Sequence, residues 1–114
     1  MEKTQRPWGT YEVLLDDDNC KVKKISVKPG QSPSYQYHHK RAEDWIIIQG
    51  EGNVRLNEDS FSVAAGQSIH VPVLAKNSIK NTSDSTDLVF IEVQTGEYFG
   101  EDDIVRLEDK YGRA

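Results

Sequence analysis

Cysteine is almost missing: Cys20 is the only one in 114 residues. An intramolecular disulfide, a paired-thiol redox motif and a cysteine-ligated zinc cluster are therefore excluded. Long apolar runs are missing too. Trp45-Ile46-Ile47-Ile48 is as long as they get, and four residues fall far short of the roughly 20 that a membrane helix needs. Met1-Glu2-Lys3-Thr4-Gln5 has no apolar core, so no signal peptide is expected there and a cytoplasmic location is expected. Blocks of positive charge are also lacking. Lys and Arg number 14 against 19 Asp and Glu, a net charge of −5. Binding of nucleic acid through phosphate neutralisation is not expected, nor is a membrane partner. A chain this short has room for one core, so residues 1–114 are read as one domain.

What charge there is comes unevenly. Asp16-Asp17-Asp18 and Glu101-Asp102-Asp103 are acidic, while Lys21, Lys23, Lys24 and Lys28 form a basic strip followed by Lys40 and Arg41. Such runs usually make solvated surface. The alternative is that one or two of these cations face an anionic ligand.

The periodicity is short and mostly two-fold. Tyr11, Val13 and Leu15 alternate with their neighbours, and the run from Val22 to Val27 ends at the turn Pro29-Gly30. Trp45–Gln49 stops at Gly50, Phe61 and Val63 lead to Gly66, Ile69 and Val71 stop at Pro72, and Leu88–Val93 is the last strong run. Short strands divided by Gly, Pro, Asn and Asp predict an all-β sandwich or barrel. Residues 81–87 read as an exposed polar loop. Residues 101–110 lack a sustained helical stripe and read as a short helix or a coil.

The chemistry concentrates in Gln36-Tyr37-His38-His39-Lys40-Arg41-Ala42-Glu43, just before the Trp45 strand. Side chains alternate across a strand, so Gln36 and His38 share a face, and Glu43 can return to it after a turn at residues 40–42. Imidazole nitrogen with carboxylate and amide oxygens suits a divalent first-row metal. The plainer alternative makes His38 and His39 polar strand residues at a barrel mouth. His39 falls on the face opposite His38. Trp8 and Trp45 read as core residues, and Tyr35 and Tyr37 as strand residues or as the stacking rim of a sugar pocket.

The order Gly30, five residues, Gln36-Tyr37-His38, four residues, Glu43, six residues, Gly50 resembles the first cupin motif, with Gln36 where the first histidine is expected. Gly66, Pro72 and Asn81 fall on the second motif, with Leu74 at its glycine position and Asn77 at its histidine position. Arg6-Pro7-Trp8-Gly9-Thr10-Tyr11-Glu12-Val13, Arg41-Ala42-Glu43-Asp44-Trp45 and the block at residues 100–113 extend the likeness over nearly the whole chain. Together they resemble the cupin domain found at the C-terminus of type II phosphomannose isomerase/mannose-1-phosphate guanylyltransferase enzymes and as stand-alone proteins. No Gly-rich nucleotide-binding region precedes these blocks, so nucleotidyl transfer is not expected.

The resemblance implies a jelly-roll β-barrel, that is, a double-stranded β-helix. It implies interconversion of mannose 6-phosphate and fructose 6-phosphate through an enediol, with a divalent metal (zinc, manganese, nickel or cobalt) polarising the carbonyl. The metal positions would be Gln36, His38, Glu43 and Asn77, and the catalytic set Glu43, His38 and Arg106. Asn77 in place of histidine weakens such a site, and an empty one is an equal expectation. Arg106 and Lys24 are candidates for the phosphate, Tyr37 for the sugar, and His70 for a compensating ligand or base near Asn77. A homodimer is also implied, with Arg6–Tyr11 as a candidate exchanged strand. The alternative from another functional class is a non-catalytic cupin, poor in metal, that binds a sugar phosphate or sugar nucleotide and assists a partner enzyme. Iron-dependent oxygen chemistry is disfavoured by the missing histidines.

Overall fold

The computed structural model describes residues 2–108, so the end of the C-terminal block, residues 109–113, lies outside them. The chain runs β1 (Lys3–Arg6), β2 (Gly9–Asp16), β3 (Cys20–Val27), β4 (Tyr35–His38), β5 (Arg41–Gln49), β6 (Glu51–Leu56), β7 (Asp59–Ala64), β8 (Ser68–Val71), β9 (Asn77–Asn81), β10 (Leu88–Gly96), a 3-10 turn (Glu101–Asp103) and β11 (Ile104–Glu108). Two antiparallel sheets result. One has the order β1-β2-β3-β10-β5-β8, the other β11-β4-β9-β6-β7. Among the described residues no helix is long and apolar enough to cross a membrane.

Alternation decides what lies between the sheets. Val27 and Ile25 on β3, Trp45 and Ile47 on β5, and Leu88 and Phe90 on β10 point inward and are buried. They meet Val54, Val63 and Ile79 from the second sheet and Trp8 from the β1–β2 turn. Phe90 lies opposite both Ile25 and Ile47, and its ring centroid is 5.3 Å from that of Trp45. Both tryptophans are core residues, as their bulk suggests.

Backbone crowding accounts for two glycines. Gly50, at φ +88°, lies where a Cβ would come within 2.8 Å of the Asp87 carbonyl oxygen. Gly9 in β2 would bring a Cβ to 2.0 Å from the Ser26 carbonyl oxygen of β3. Neither position leaves space for a side chain.

Three local expectations are corrected. The segment expected as helix or coil after residue 100 is a short 3-10 turn followed by β11, which pairs with β4 and completes the second sheet. The Tyr11-Val13-Leu15 alternation breaks at a register shift between Val13 and Leu15, so Leu14 and Leu15 are both exposed. Asn81 is not part of an exposed loop: it ends β9 fully buried, and its side-chain amide donates to the Val27 and Thr86 carbonyls at 2.9 and 2.8 Å. The Arg6–Tyr11 segment spans the turn between β1 and β2, which pair antiparallel with Arg6 opposite Gly9.

Candidate functional site

At one end of the sandwich the inward faces turn from apolar to polar. On β3 the inward series Val27, Ile25 continues to Lys23; on β10 Leu88, Phe90 continues to Glu92 and Gln94; on β5 Ile47, Trp45 continues to Glu43 and Arg41. On β4 the inward residues are Gln36 and His38, and on β9 Ile79 gives way to Asn77. Strand pairing sets Glu92 opposite Lys23 and Trp45, and Gln94 opposite Glu43. A cavity of about 110 Å³ opens among these strands. Its polar lining includes Lys23, Arg41, Glu92, Glu101, Gln36 and Arg106, over an apolar floor of Trp8, Ile25, Trp45 and Phe90.

The buried charges are tied together. Glu43 accepts from Arg41 Nε and Nη2, both at 2.9 Å from its Oε2, and from the Trp45 indole at 3.0 Å. Gln94 donates to Glu92 at 2.7 Å. Lys23 reaches Glu101 at 2.8 Å and rests over the Tyr11 ring, 4.5 Å from its centroid. Burial alone would raise the Glu43 pKa, but hydrogen bonding to Glu92 and the Arg41 charge bring it below the usual value. Burial and the Glu43 charge push Glu92 well above it. Two carboxyls this close shift in opposite directions, Glu43 toward the charged form and Glu92 toward the protonated one.

The sequence candidates fall in different surroundings. Gln36 and Asn77 are register partners and both line the cavity, as does Arg106, whose Nε is buried without a hydrogen-bond partner. His38 and Glu43 form a second, buried pair, 3.8 Å between Nδ1 and Oε2, outside the cavity lining. Burial lowers the His38 pKa, ahead of the opposing pull of Glu43, and its Nε2 has no hydrogen-bond partner. Lys24 is exposed on the outer face of β3, and its neighbour Lys23 takes the inward position. Tyr37 also faces away from the cavity, its ring packed edge-on against His39, 5.3 Å between centroids. His70 is exposed on β8 and pairs with Asp44 at 2.8 Å, so it does not approach Asn77 from within the barrel.

Lys23, Arg41, Glu92 and Glu101 were not singled out from the sequence as ligand-facing groups. The signal was available for two of them. Lys23 is in two-residue phase with Ile25 and Val27, and Glu92 with Leu88 and Phe90. A charge in phase with an apolar face is a buried charge.

Of the four residues expected to hold a metal, Glu43 and Asn77 are engaged by protein groups, while His38 Nε2 has no partner. The Arg41 guanidinium grips Glu43 at 2.9 Å and supplies the positive charge that a cation would bring. The Asn77 amide donates to the Gln36 and Ala75 carbonyls at 3.2 and 3.0 Å, so that side chain holds backbone. Among the described residues no three His, Cys, Asp or Glu side chains gather into a metal-holding group.

A family model described as mannose-6-phosphate isomerase C-terminal matches residues 1–109. A mannose-1-phosphate guanylyltransferase of Klebsiella pneumoniae is 43% identical over 109 residues, covering 96% of this chain and 23% of that protein. The alginate biosynthesis protein AlgA of Pseudomonas syringae is 44% identical over 109 residues, covering 96% of this chain and 22% of that protein. The chain thus spans less than a quarter of the length of these relatives. Among solved structures, the cupin domain of Schizosaccharomyces pombe Cnp3 superposes with a TM-score of 0.77 at 15% identity, covering 84% of this chain and 69% of that one.

Proposed function

The chain belongs to the mannose-6-phosphate isomerase C-terminal family, and from that membership we propose that its cavity takes a phosphorylated hexose and interconverts the mannose and fructose 6-phosphates. The fold that carries the site is a cupin jelly-roll. One observation supports the reading above the others: Glu92, a buried carboxyl held toward its protonated form by burial and the Glu43 charge, lines a cavity shared with Lys23, Arg41 and Arg106. The cations suit a phosphate and a developing enediolate. The acid suits the proton transfers.

The steps need no group beyond these side chains. Glu92 gives its proton to the sugar carbonyl oxygen. As a carboxylate it then takes the proton from the adjacent carbon, and that C–H electron pair becomes the enediol double bond. The same two transfers, run backwards one carbon over, complete the isomerisation. The Glu43 charge and burial favour the protonated form of Glu92, the form from which the cycle starts.

The test is conversion of mannose 6-phosphate to fructose 6-phosphate by the purified chain, with and without added zinc, cobalt, nickel or manganese. Turnover that falls by about 10²-fold or more in Glu92→Gln supports the reading. No turnover above blank under any condition removes it.

A second reading has its own support. The Arg41–Glu43–Trp45 lock resembles a structural network, and the chain is a small part of its relatives' length. A binding module that holds the sugar phosphate for a partner enzyme of polysaccharide precursor synthesis would give heat on titration with hexose phosphates and no turnover. For partners we propose the hexose phosphate and a second copy of the chain; light scattering that reports a monomer at high concentration removes the latter. A cytoplasmic site of action accords with such a substrate.

A further inference from the structure

The side chain of Glu101 reaches back over the cavity from the 3-10 turn that precedes β11. Its Oε1 lies 2.8 Å from Lys23 Nζ and its Oε2 3.5 Å from Arg41 Nη1. The two cations are buried, with side chains 5% and 4% exposed, whereas Glu101 is 46% exposed and sits at the rim. Arg41 Nη1 makes no hydrogen bond, and neither does the buried Nε of Arg106, which lines the same cavity from the other sheet. A single carboxylate therefore bridges two buried cations while guanidinium donors in the same cavity make no hydrogen bond.

On the reading that the ligand carries a phosphate, we propose that the phosphoryl group binds where the Glu101 carboxylate now lies, on Lys23 and Arg41 with Arg106 alongside, and that Glu101 must be displaced to admit it. The exchange is favourable in charge and in donors. A phosphate monoester brings −1.5 to −2 charges and three acceptor oxygens, roughly twice the charge of the carboxylate it replaces. Those oxygens can take up the idle guanidinium N–H groups. The movement required is small. Asp103 pins the turn by accepting from the His39 and Lys40 backbone N–H groups at 3.2 and 2.9 Å, so the Glu101 side chain can swing outward while the backbone stays. A neutral sugar has no means of displacing the carboxylate. Glu101 thus acts as an internal competitor that selects phosphorylated ligands, and it lowers their apparent affinity by the fraction of molecules in which it occupies the site.

The experiment is calorimetric titration of the full chain with mannose 6-phosphate, inorganic phosphate and mannose, with folding of each variant checked by its melting curve. Glu101→Gln keeps the size of the side chain and removes its charge; it is expected to bind both phosphates about tenfold tighter than wild type, with mannose silent in both. Glu101→Ala is a second variant expected to move the same way. Glu97→Gln removes one charge from the exposed stretch before the turn and is expected to leave affinity unchanged. Equal or weaker phosphate binding by both Glu101 variants, with wild type binding normally, overturns the displacement and leaves the proposed substrate standing. An equal gain in Glu97→Gln also overturns it, because general charge would then be the cause. Folded wild type and variants that all fail to bind either phosphate overturn the proposed function together with this inference.

Discussion

Leu74 has φ +69°, a left-handed backbone that a Cβ disfavours. It is the position at which the second cupin motif expects glycine, and its N–H donates to the His38 carbonyl at 2.9 Å, so the turn shape is held although the residue is wrong for it. Leu74→Gly is expected to raise stability by up to about 1 kcal/mol, after the extra entropy glycine loses on folding; a urea midpoint that falls would contradict this. Glu92 makes a second single-residue case. Its folded pKa is raised, so its contribution to stability is full below the unfolded value of 4.5 and is lost as pH rises through the folded pKa. Glu92→Gln does not titrate, so its stability relative to wild type is expected to grow as pH rises above 4.5, read from paired denaturation curves. His38 has the opposite sign. Its pKa is depressed, so stability that is complete above the unfolded value of 6.5 drains as pH falls below it. A His38→Gln variant is expected to lose less stability than wild type on acidification from pH 7 to about pH 5.

Elements place these residues, and the decisive ones are β3, β10 and the turn before β11. On β3 a shift of one position separates a phosphate candidate from a surface lysine: Lys24 faces out, Lys23 faces in. Alternation counted back from Val27 makes that distinction legible, because the buried face is the apolar one. The turn before β11 was not legible. Glu101-Asp102-Asp103 reads as a solvated acidic run, yet Asp103 is buried and caps two backbone N–H groups of the β4–β5 turn. Removing it by Asp103→Ala is expected to cost about 1–3 kcal/mol, since donors lose a charged acceptor. If urea denaturation shows no loss, the carboxylate does not hold the turn. β11 escaped notice for a related reason. A five-residue strand is recognisable only when its partner is known, and here the partner is β4, more than sixty residues earlier.

At the scale of the whole molecule, one end of a small β-sandwich has traded apolar core for a network of buried charges. The network fixes an expectation about metal. Purified protein is expected to hold well below one equivalent of any divalent metal by mass spectrometry, and Asn77→His alone is not expected to fill the site, because Arg41 still holds Glu43. A stoichiometric metal in the wild type would mean that Arg41 is displaced in solution. From the sequence alone came the all-β class, the ends of several strands, the two tryptophans in the core, and the family. These rest on local alternation, on turn residues and on motif order, all of which are properties of short stretches of chain. The tertiary structure decided which charges meet. It paired Gln36 with Asn77 and set His38 near Glu43, gave Glu43 to Arg41 and Trp45, put Lys23 and Glu92 opposite each other, and laid Glu101 across two cations. Electrostatic partnership depends on distance through space, and strands far apart in the chain set those distances.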